Sequence, residues 1–337
     1  MKNKWIWSLL AVFTLMLAGC GSGSDSDSAT GKTNERRFLS VGTAPTGGTF
    51  FVVGNAIASV VESNKGELNW SVNGESTKGT QENIRRMANR ELDFAMANAA
   101  ISYFAVRGGG AWQEPHPVNA VMTLAPNVAM FITTQSSGIK SIADMRGKRV
   151  VMGPAGAGFE YFLGPILEAH GLTYDDLTPL YNTQNGAVDL LADGSADAAF
   201  LGGGVPTASI TQACASQDIY FIPFDEAAKQ KLIEEYPFFS PASIKAGVYS
   251  DLEEDFQGLN VGSMQLITGE QVDEETVYQF TKLLYENREQ VVQQHPAGRA
   301  INPNNIVRDT GTPFHAGAMR YYREIGIWPE ATSSDEN

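Results

Sequence analysis

The sequence predicts an α/β protein of two related lobes, each a mainly parallel sheet with helices on both faces. Three observations predict it. A segment near residue 90 recurs about 104 residues later, strand-like and helix-like stretches alternate along the chain, and Gly-rich loops follow strands and open helices. With 337 residues, 43% hydrophobic and 18% charged, the composition is globular and the length suits two domains of ordinary size. The balance of 24 Lys+Arg against 38 Asp+Glu, a net charge of −14, excludes a nucleic-acid binder held by phosphate neutralisation.

In chain order, Lys2 and Lys4 precede an apolar run from Trp5 to Ala18 that ends in Leu17-Ala18-Gly19-Cys20. Residues 1–19 read as a signal segment: the run is short of the ~20 residues a membrane-spanning helix needs, and small residues stand before a cysteine. A core helix at the chain start is the competing reading, and no polar face interrupts the run to favour it. Small residues before a cysteine resemble a lipobox, so cleavage before Cys20 would leave a lipidated, palmitate-type anchor on a mature chain of net charge −16, once Lys2 and Lys4 are gone. Residues 20–37, GSGSDSDSATGKTNERR after the cysteine, read as a flexible tether. The expected location is periplasmic, tied to a membrane by that lipid. Cys214 is then the remaining thiol, so no disulfide forms within the chain; it lies in an apparent helix and reads as inert rather than nucleophilic.

The internal similarity aligns MANRELDFAMANAA from Met87 with LADGSADAAFLGGG from Leu191, matching Ala88 with Ala192, Asp93 with Asp197 and Ala95 with Ala199. Both copies read as helix end, turn, buried strand and small residues. A second pair supports it: Phe38-Leu39-Ser40-Val41 runs into GTAPTGG and a helix, and Arg149-Val150-Val151-Met152 runs into GPAGAG and a helix. Two generic strand–helix units resembling one another by chance is the alternative. Further strands are expected at 68–72, 118–124, 128–134, 178–181, 219–222 and 261–268, and helices at 80–89, 206–216, 226–235 and 274–294. The last helical region is expected to return to the first lobe.

No G-x-S-x-G elbow, Walker loop or H-E-x-x-H helix occurs, and His116, His170, His295 and His315 are scattered without zinc-ligand spacing. Asp175-Asp176, Glu234-Glu235 and Glu253-Glu254-Asp255 are adjacent pairs that point apart on a helix and serve solubility better than acid–base work. GPAGAG does not have the dinucleotide order. What remains are four glycine loops, 42–48, 74–79, 153–158 and 202–204, at the ends of strands. Ligands of open α/β sheets bind there, and helix N-termini offer free N–H donors to an anion such as a small carboxylate. For any single loop, a tight turn and nothing more is the alternative. Micromolar binding needs about −8 kcal/mol against roughly 0.3–2 kcal/mol per helix end, so several donors must act together, as in a cleft that closes.

GTAPTGGTFF, GESTKGTQENIRRMANRELDFAMANAAISY, SGIKSIADMRGKRVVMGPAGAG, YPFFSPASIKAGVY, VYQFTKLLYENRE and PFHAGAMRYYREIG resemble the TAXI substrate-binding receptors of tripartite ATP-independent periplasmic (TRAP) transporters, over Phe38 to Ile327. The resemblance implies a type II periplasmic-binding-protein fold with lobe I at 38–130 plus 267–337 and lobe II at 131–266, joined by crossing hinge strands. It implies capture of a small organic acid (dicarboxylate, keto acid or acidic amino acid), delivery to TRAP permease subunits, no catalysis, no cofactor and no metal. Carried over by position, the ligand-binding residues are Gly48, Thr49, Phe50, Phe51, Ser76, Thr77 and Asn98 from the first lobe. From the second come Pro154, Ala155, Gly156, Ala157 and Gly158, and Gly202, Gly203 and Gly204. Where the family has polar hydroxyls and a carboxylate, this chain has Ala97-Asn98-Ala99 and Ala157-Gly158-Phe159, which favours a ligand without an amine. A membrane-coupled ligand sensor uses the same fold and cleft. An enzyme acting on a small acid needs an acid–base residue on a loop, and Glu75 is the one such residue the four loops carry.

Overall fold

Asp93 and Asp197, the matched acids of the internal similarity, do the same work in two different sheets. In the computed structural model, which describes residues 36–46 and 48–329, Asp93 accepts the Ser40 N–H at 2.9 Å and Asp197 accepts the Arg149 N–H at 2.8 Å. Each carboxylate sits just before a buried strand and satisfies a backbone donor of the parallel strand beside it, so the repeated Asp fixes strand register twice.

The chain builds β1 (Arg37–Gly42), α1 (Thr49–Asn64), β2 (Trp70–Glu75), α2 (Thr80–Ala88), β3 (Phe94–Asn98), α3 (Ala99–Arg107) and β4 (Val118–Thr123). It continues with β5 (Val128–Thr134), β6 (Arg149–Val151), α4 (Glu160–Ala169), β7 (Thr178–Leu180), α5 (Gln184–Ala192), β8 (Ala198–Gly203), α6 (Ala208–Ser216), β9 (Ile219–Ile222), α7 (Glu226–Glu235), β10 (Phe239–Ile244) and β11 (Phe256–Val261). It ends with β12 (Met264–Gly269), α8 (Glu274–Glu286), α9 (Arg288–Gln294), α10 (Pro303–Ile306) and α11 (Ala316–Glu324). One sheet has the order β2-β1-β3-β12-β4; the other has β10-β11-β5-β8-β6-β7, with β9 also paired to β5.

The sheets are mixed, which corrects the expectation of mainly parallel pairing. β1–β2, β1–β3, β6–β7 and β6–β8 are parallel. β5 runs antiparallel to β8, β9 and β11, and β12 antiparallel to β3 and β4. The reason is topological: each sheet receives one strand from the crossing chain, inserted against the direction of its neighbours, and β10–β11 is a further antiparallel pair. The expected strand 261–268 is broken at Gly262, whose φ of +100° turns the chain, and the expected helix 274–294 is broken at Asn287, whose amide donates to the Leu283 carbonyl at 2.9 Å. Arg37, expected in the tether, opens β1 and reaches Asp273 at 2.6 Å. Residues 128–130, expected in the first lobe, belong to the second sheet, and residues 264–266, expected in the second lobe, belong to the first sheet.

Alternation along β3 divides the interior. Phe94 and Met96 face a core made with Val53 and Ile57 of α1, Phe280 of α8 and Tyr322 of α11, where Phe94 stacks on Phe280 at 4.0 Å between ring centroids. Ala95 and Ala97 face a second core that runs on through Ile101 into Phe131, Phe162 and Leu201 of the other sheet. The C-terminal helices α8, α9 and α11 therefore pack on the first sheet.

Two short segments carry the chain between the sheets, and they are bonded to each other. Leu124 N–H donates to Met264 O at 2.7 Å, Met264 N–H to Ala125 O at 2.8 Å and Val261 N–H to Asn127 O at 2.9 Å. Asn260 Oδ1 accepts the Asn127 N–H at 3.0 Å. Asn98 ties this ladder to the first sheet: its Oδ1 caps α3 through the Ala100 and Ile101 N–H groups, and its Nδ2 donates to Val261 O at 3.1 Å and Gly262 O at 2.9 Å. A Cβ on Gly262 would stand 2.4 Å from Asn98 Oδ1, so glycine is required there for room as well as for φ.

Asn98→Ala removes a cap and leaves two buried carbonyls without that donor; urea unfolding is expected to show a loss of about 2–4 kcal/mol. Burial pushes the Asp273 carboxyl up, but Arg37 and the Thr276 N–H and hydroxyl outweigh it and hold the pKa down to about 2. A folded pKa below the unfolded one means that this contribution is complete above the usual carboxylate pKa and is lost as pH falls through about 2. Asp273→Asn is expected to flatten the acid limb of a melting-temperature profile between pH 4 and 2.

Candidate functional site

The loop after β1 is stitched to the loop after β2. Thr43 donates its N–H and its hydroxyl to Glu75 O, both at 2.8 Å, Ser76 Oγ donates to Ala44 O at 3.2 Å, and Thr77 Oγ1 donates to Thr43 O at 3.1 Å while accepting the Gly79 N–H. Thr77 is buried and its hydroxyl is used in this stitching, whereas Ser76 is exposed. Gly48 is the extended N-cap of α1 and has no side chain to cap it. Its carbonyl accepts from Phe51 and Val52, leaving the Thr49 and Phe50 N–H groups without an acceptor among the described residues. Phe50 packs against the first-sheet core, while half-buried Phe51 stands outside both cores.

From the other sheet, Gly202 and Gly203 end β8, with Gly202 O accepting from Gln184 Nε2 at 2.6 Å and Gly204 O from Thr207 Oγ1 at 3.2 Å. These glycines meet the start of α1. A Cβ on Gly203 would lie 3.6 Å from Thr49 Oγ1, and one on Gly204 3.1 Å from Thr49 Cγ2 and 3.8 Å from Ala297 Cβ. A second meeting lies between the loop before α4 and the helices α2 and α3: Gly158, at φ +87°, has Ile101 Cδ1 2.9 Å and Gln81 Cβ 3.5 Å from where its Cβ would be. Aromatic rings extend this contact, with Phe104 5.6 Å from Tyr161 and Tyr103 5.2 Å from Phe238 between centroids. Loops from both sheets thus face one another at two places, closest at Gly158, where a side chain would be both strained and crowded.

The remaining expected residues do other things. Pro154, Ala155 and Gly156 line an open groove of about 690 Å³ with Phe159, Glu160, Tyr174 and Tyr181, all of it on the second sheet's side; Ala157 is buried beside Gly158. Asn98 is 3% exposed and its amide is bonded inside the protein, so it positions α3 and the crossing. Gln81, Ile101 and Ala297 stand at the meeting points and carry no sequence signal that would distinguish them from ordinary packing residues. Cys20 and the segments 1–19 and 20–35 lie outside the described residues.

The ionisable groups around the loops are engaged. Glu75 pairs with Arg86 at 2.8 Å, which removes the one loop carboxylate that could have served as a free acid or base. His295 and His315 cap helices by accepting the Ala297 and Gly317 N–H groups, and His170 accepts the Asp225 N–H, with burial pushing all three rings below the usual imidazole pKa. Burial likewise pushes the half-buried Cys214 thiol up, which lowers its thiolate fraction. Among the described residues no group of three His, Cys, Asp or Glu side chains is placed to hold a metal ion, and no helix is long and apolar enough to cross a membrane.

A model of the NMT1-like family matches residues 41–326. A protein from Bordetella bronchiseptica, 13% identical, has a similar fold with a TM-score of 0.51, covering 88% of this chain and 91% of that one. A Xanthomonas citri protein solved bound to ATP is 10% identical with a TM-score of 0.50, over 86% of this chain and 95% of that one. The periplasmic aliphatic sulphonate binding protein SsuA from Escherichia coli is 13% identical with a TM-score of 0.46, over 86% and 85% of the two chains. The two-sheet α/β architecture is a fold shared with the Bordetella bronchiseptica and Xanthomonas citri proteins.

Gly204→Val places a branched side chain against Thr49 and against Ala297 at the edge of the first-sheet core. The expected outcome is a melting temperature within about 2 °C of wild type together with a larger radius of gyration in X-ray scattering, as the facing loops are wedged apart.

Proposed function

Because the chain belongs to the NMT1-like family, we propose that it is an extracytoplasmic solute receptor that captures a small organic acid between its two sheets and delivers it to membrane permease subunits. The observation that carries this reading is the meeting of Thr49 with Gly203 and Gly204, and of Gly158 with Ile101 and Gln81: loops at strand ends of both sheets face each other across the crossing. A solute that touches both sides shifts an open–closed equilibrium by its differential affinity for the closed form, and a permease that recognises the closed form reads that shift. We take the lobes as 36–125 plus 263–329 and 127–261, with the bonded crossings as hinge.

The chemistry of the loops supports an anion. The N–H groups of Thr49 and Phe50 open α1 without an acceptor among the described residues, and a helix N-terminus favours negative charge. Screening over about 8 Å at physiological salt leaves such local donors in control despite the chain's net charge of −14. The finer assignment is a TAXI receptor of a TRAP transporter, anchored through lipid on Cys20 in the periplasm, and it rests on the sequence blocks quoted above. With Glu75 held by Arg86, a dicarboxylate or keto acid is favoured over an acidic amino acid, whose ammonium group would find no free carboxylate on these loops.

A thermal-shift screen against succinate, 2-oxoglutarate, L-glutamate and neutral sugars checks this. At 100-fold excess over Kd a ligand of the native form adds about 2.7 kcal/mol, a rise of several degrees in melting temperature. The acids are expected to produce it, succinate and 2-oxoglutarate more than L-glutamate, and the sugars are not; sugars shifting the transition while no acid does would overturn the reading.

A further inference from the structure

Arg308 follows α10 and is a guanidinium without a counter-charge. Its Nη2 donates to Ser263 Oγ, its Nε is buried with no acceptor, and no carboxylate among the described residues forms an ion pair with it. Burial pushes its pKa down. The other well-placed arginines are different: Arg86 has Glu75, Arg149 has Asp197 and Arg320 has Glu274 and Glu275. A guanidinium has five N–H donors, and a buried charge is ordinarily paired or bound to something.

Its surroundings are polar and incomplete. Gln265 Nε2 donates to Thr310 Oγ1 at 2.7 Å, so the segments 263–265 and 308–312 are joined twice, yet Gln265 Oε1 and Thr312 Oγ1 are buried without partners. Gln265 is 0% and Thr312 1% exposed. The place is the mouth of the first sheet: Ser263 O accepts the Ala99 N–H that opens α3 at 3.0 Å, and Arg308 O accepts from Thr123 Oγ1 at 2.9 Å at the end of β4. Ser263 itself lies on the crossing between the sheets.

We propose that Arg308 is the carboxylate-binding residue of the solute site, taking a carboxylate of the captured acid at the crossing, with the Thr312 hydroxyl as a second donor and Gln265 Oε1 accepting from a hydroxyl or water beside it. This rests on the solute-receptor reading and adds to it the full positive charge that the glycine turns lack. Recognition at the crossing also places the ligand's charge against the segment that moves when the lobes close.

The test is calorimetry with succinate, 2-oxoglutarate, L-glutamate and sodium chloride on wild type, Arg308→Gln and Arg308→Lys. For the acid that binds wild type most tightly, affinity is expected to fall at least about 100-fold in Arg308→Gln and about tenfold in Arg308→Lys, which keeps the charge and loses the planar fork. Ligand-free Arg308→Gln is expected to melt no lower than wild type, because an uncompensated charge has left the interior. Affinity in Arg308→Gln within threefold of wild type, at any melting temperature, overturns the proposal and leaves the receptor reading standing. Chloride binding as tightly as the best acid overturns the carboxylate assignment. If none of the acids binds wild type, the receptor reading fails and the proposal fails with it.

Discussion

Leu124, Ala125 and Asn127 on the outward crossing exchange backbone hydrogen bonds with Val261 and Met264 on the return, and this short antiparallel ladder is all the main chain that joins the two sheets. Leaving these buried backbone groups unpaired would be costly, so the two crossings stay side by side whatever the sheets do. Asn98 extends the constraint into the first sheet by capping α3 with one side of its amide and holding Val261 and Gly262 with the other. A change in the angle between the sheets is therefore registered at the N-terminus of α3, beside the loops that face each other.

The same constraint explains how the two meeting points divide their labour. Gly203 and Gly204 lie against the Thr49 side chain, and Gly158 lies closer still against that of Ile101. Such close approach gives short reach to unpaired N–H donors but supplies no whole charge. Arg308, bonded to Ser263 on the crossing and to nothing acidic, stands where a charge could be contributed without occupying either glycine contact. Glu75, the acid that an enzyme reading would need, is committed to Arg86, so the loops are poor in free acid–base groups and rich in neutral donors.

Much of the architecture was legible from residues that act locally. The spans Val128–Thr134, Ile219–Ile222 and Glu226–Glu235 were readable to the residue, because turn-forming residues bound them: Gln135-Ser136-Ser137 after the first, Pro223 after the second and Pro237 shortly after the third. Asp93 and Asp197 were visible as a matched pair before their common task, accepting the neighbouring strand's N–H, was known. Antiparallel insertion of β5 and β12 was not legible, since strand direction within a sheet depends on where the chain re-enters it. The partners of Asn98 were not legible either: a polar residue at a strand end looks alike whether it faces a ligand or a bend of the chain over 160 residues away.

Sequence by itself determined the glycine turns at strand ends and the two-fold repetition of the strand–loop–helix unit, because each depends on φ freedom or periodicity within a few residues. Only the tertiary structure decided that Gly204 lies against Thr49 and Ala297, that Gly158 lies against Ile101, and that Arg308 bonds to Ser263 and pairs with no carboxylate among the described residues. Those relations join segments remote in the chain, and they exist because two crossings bonded to one another bring the ends of separate sheets together.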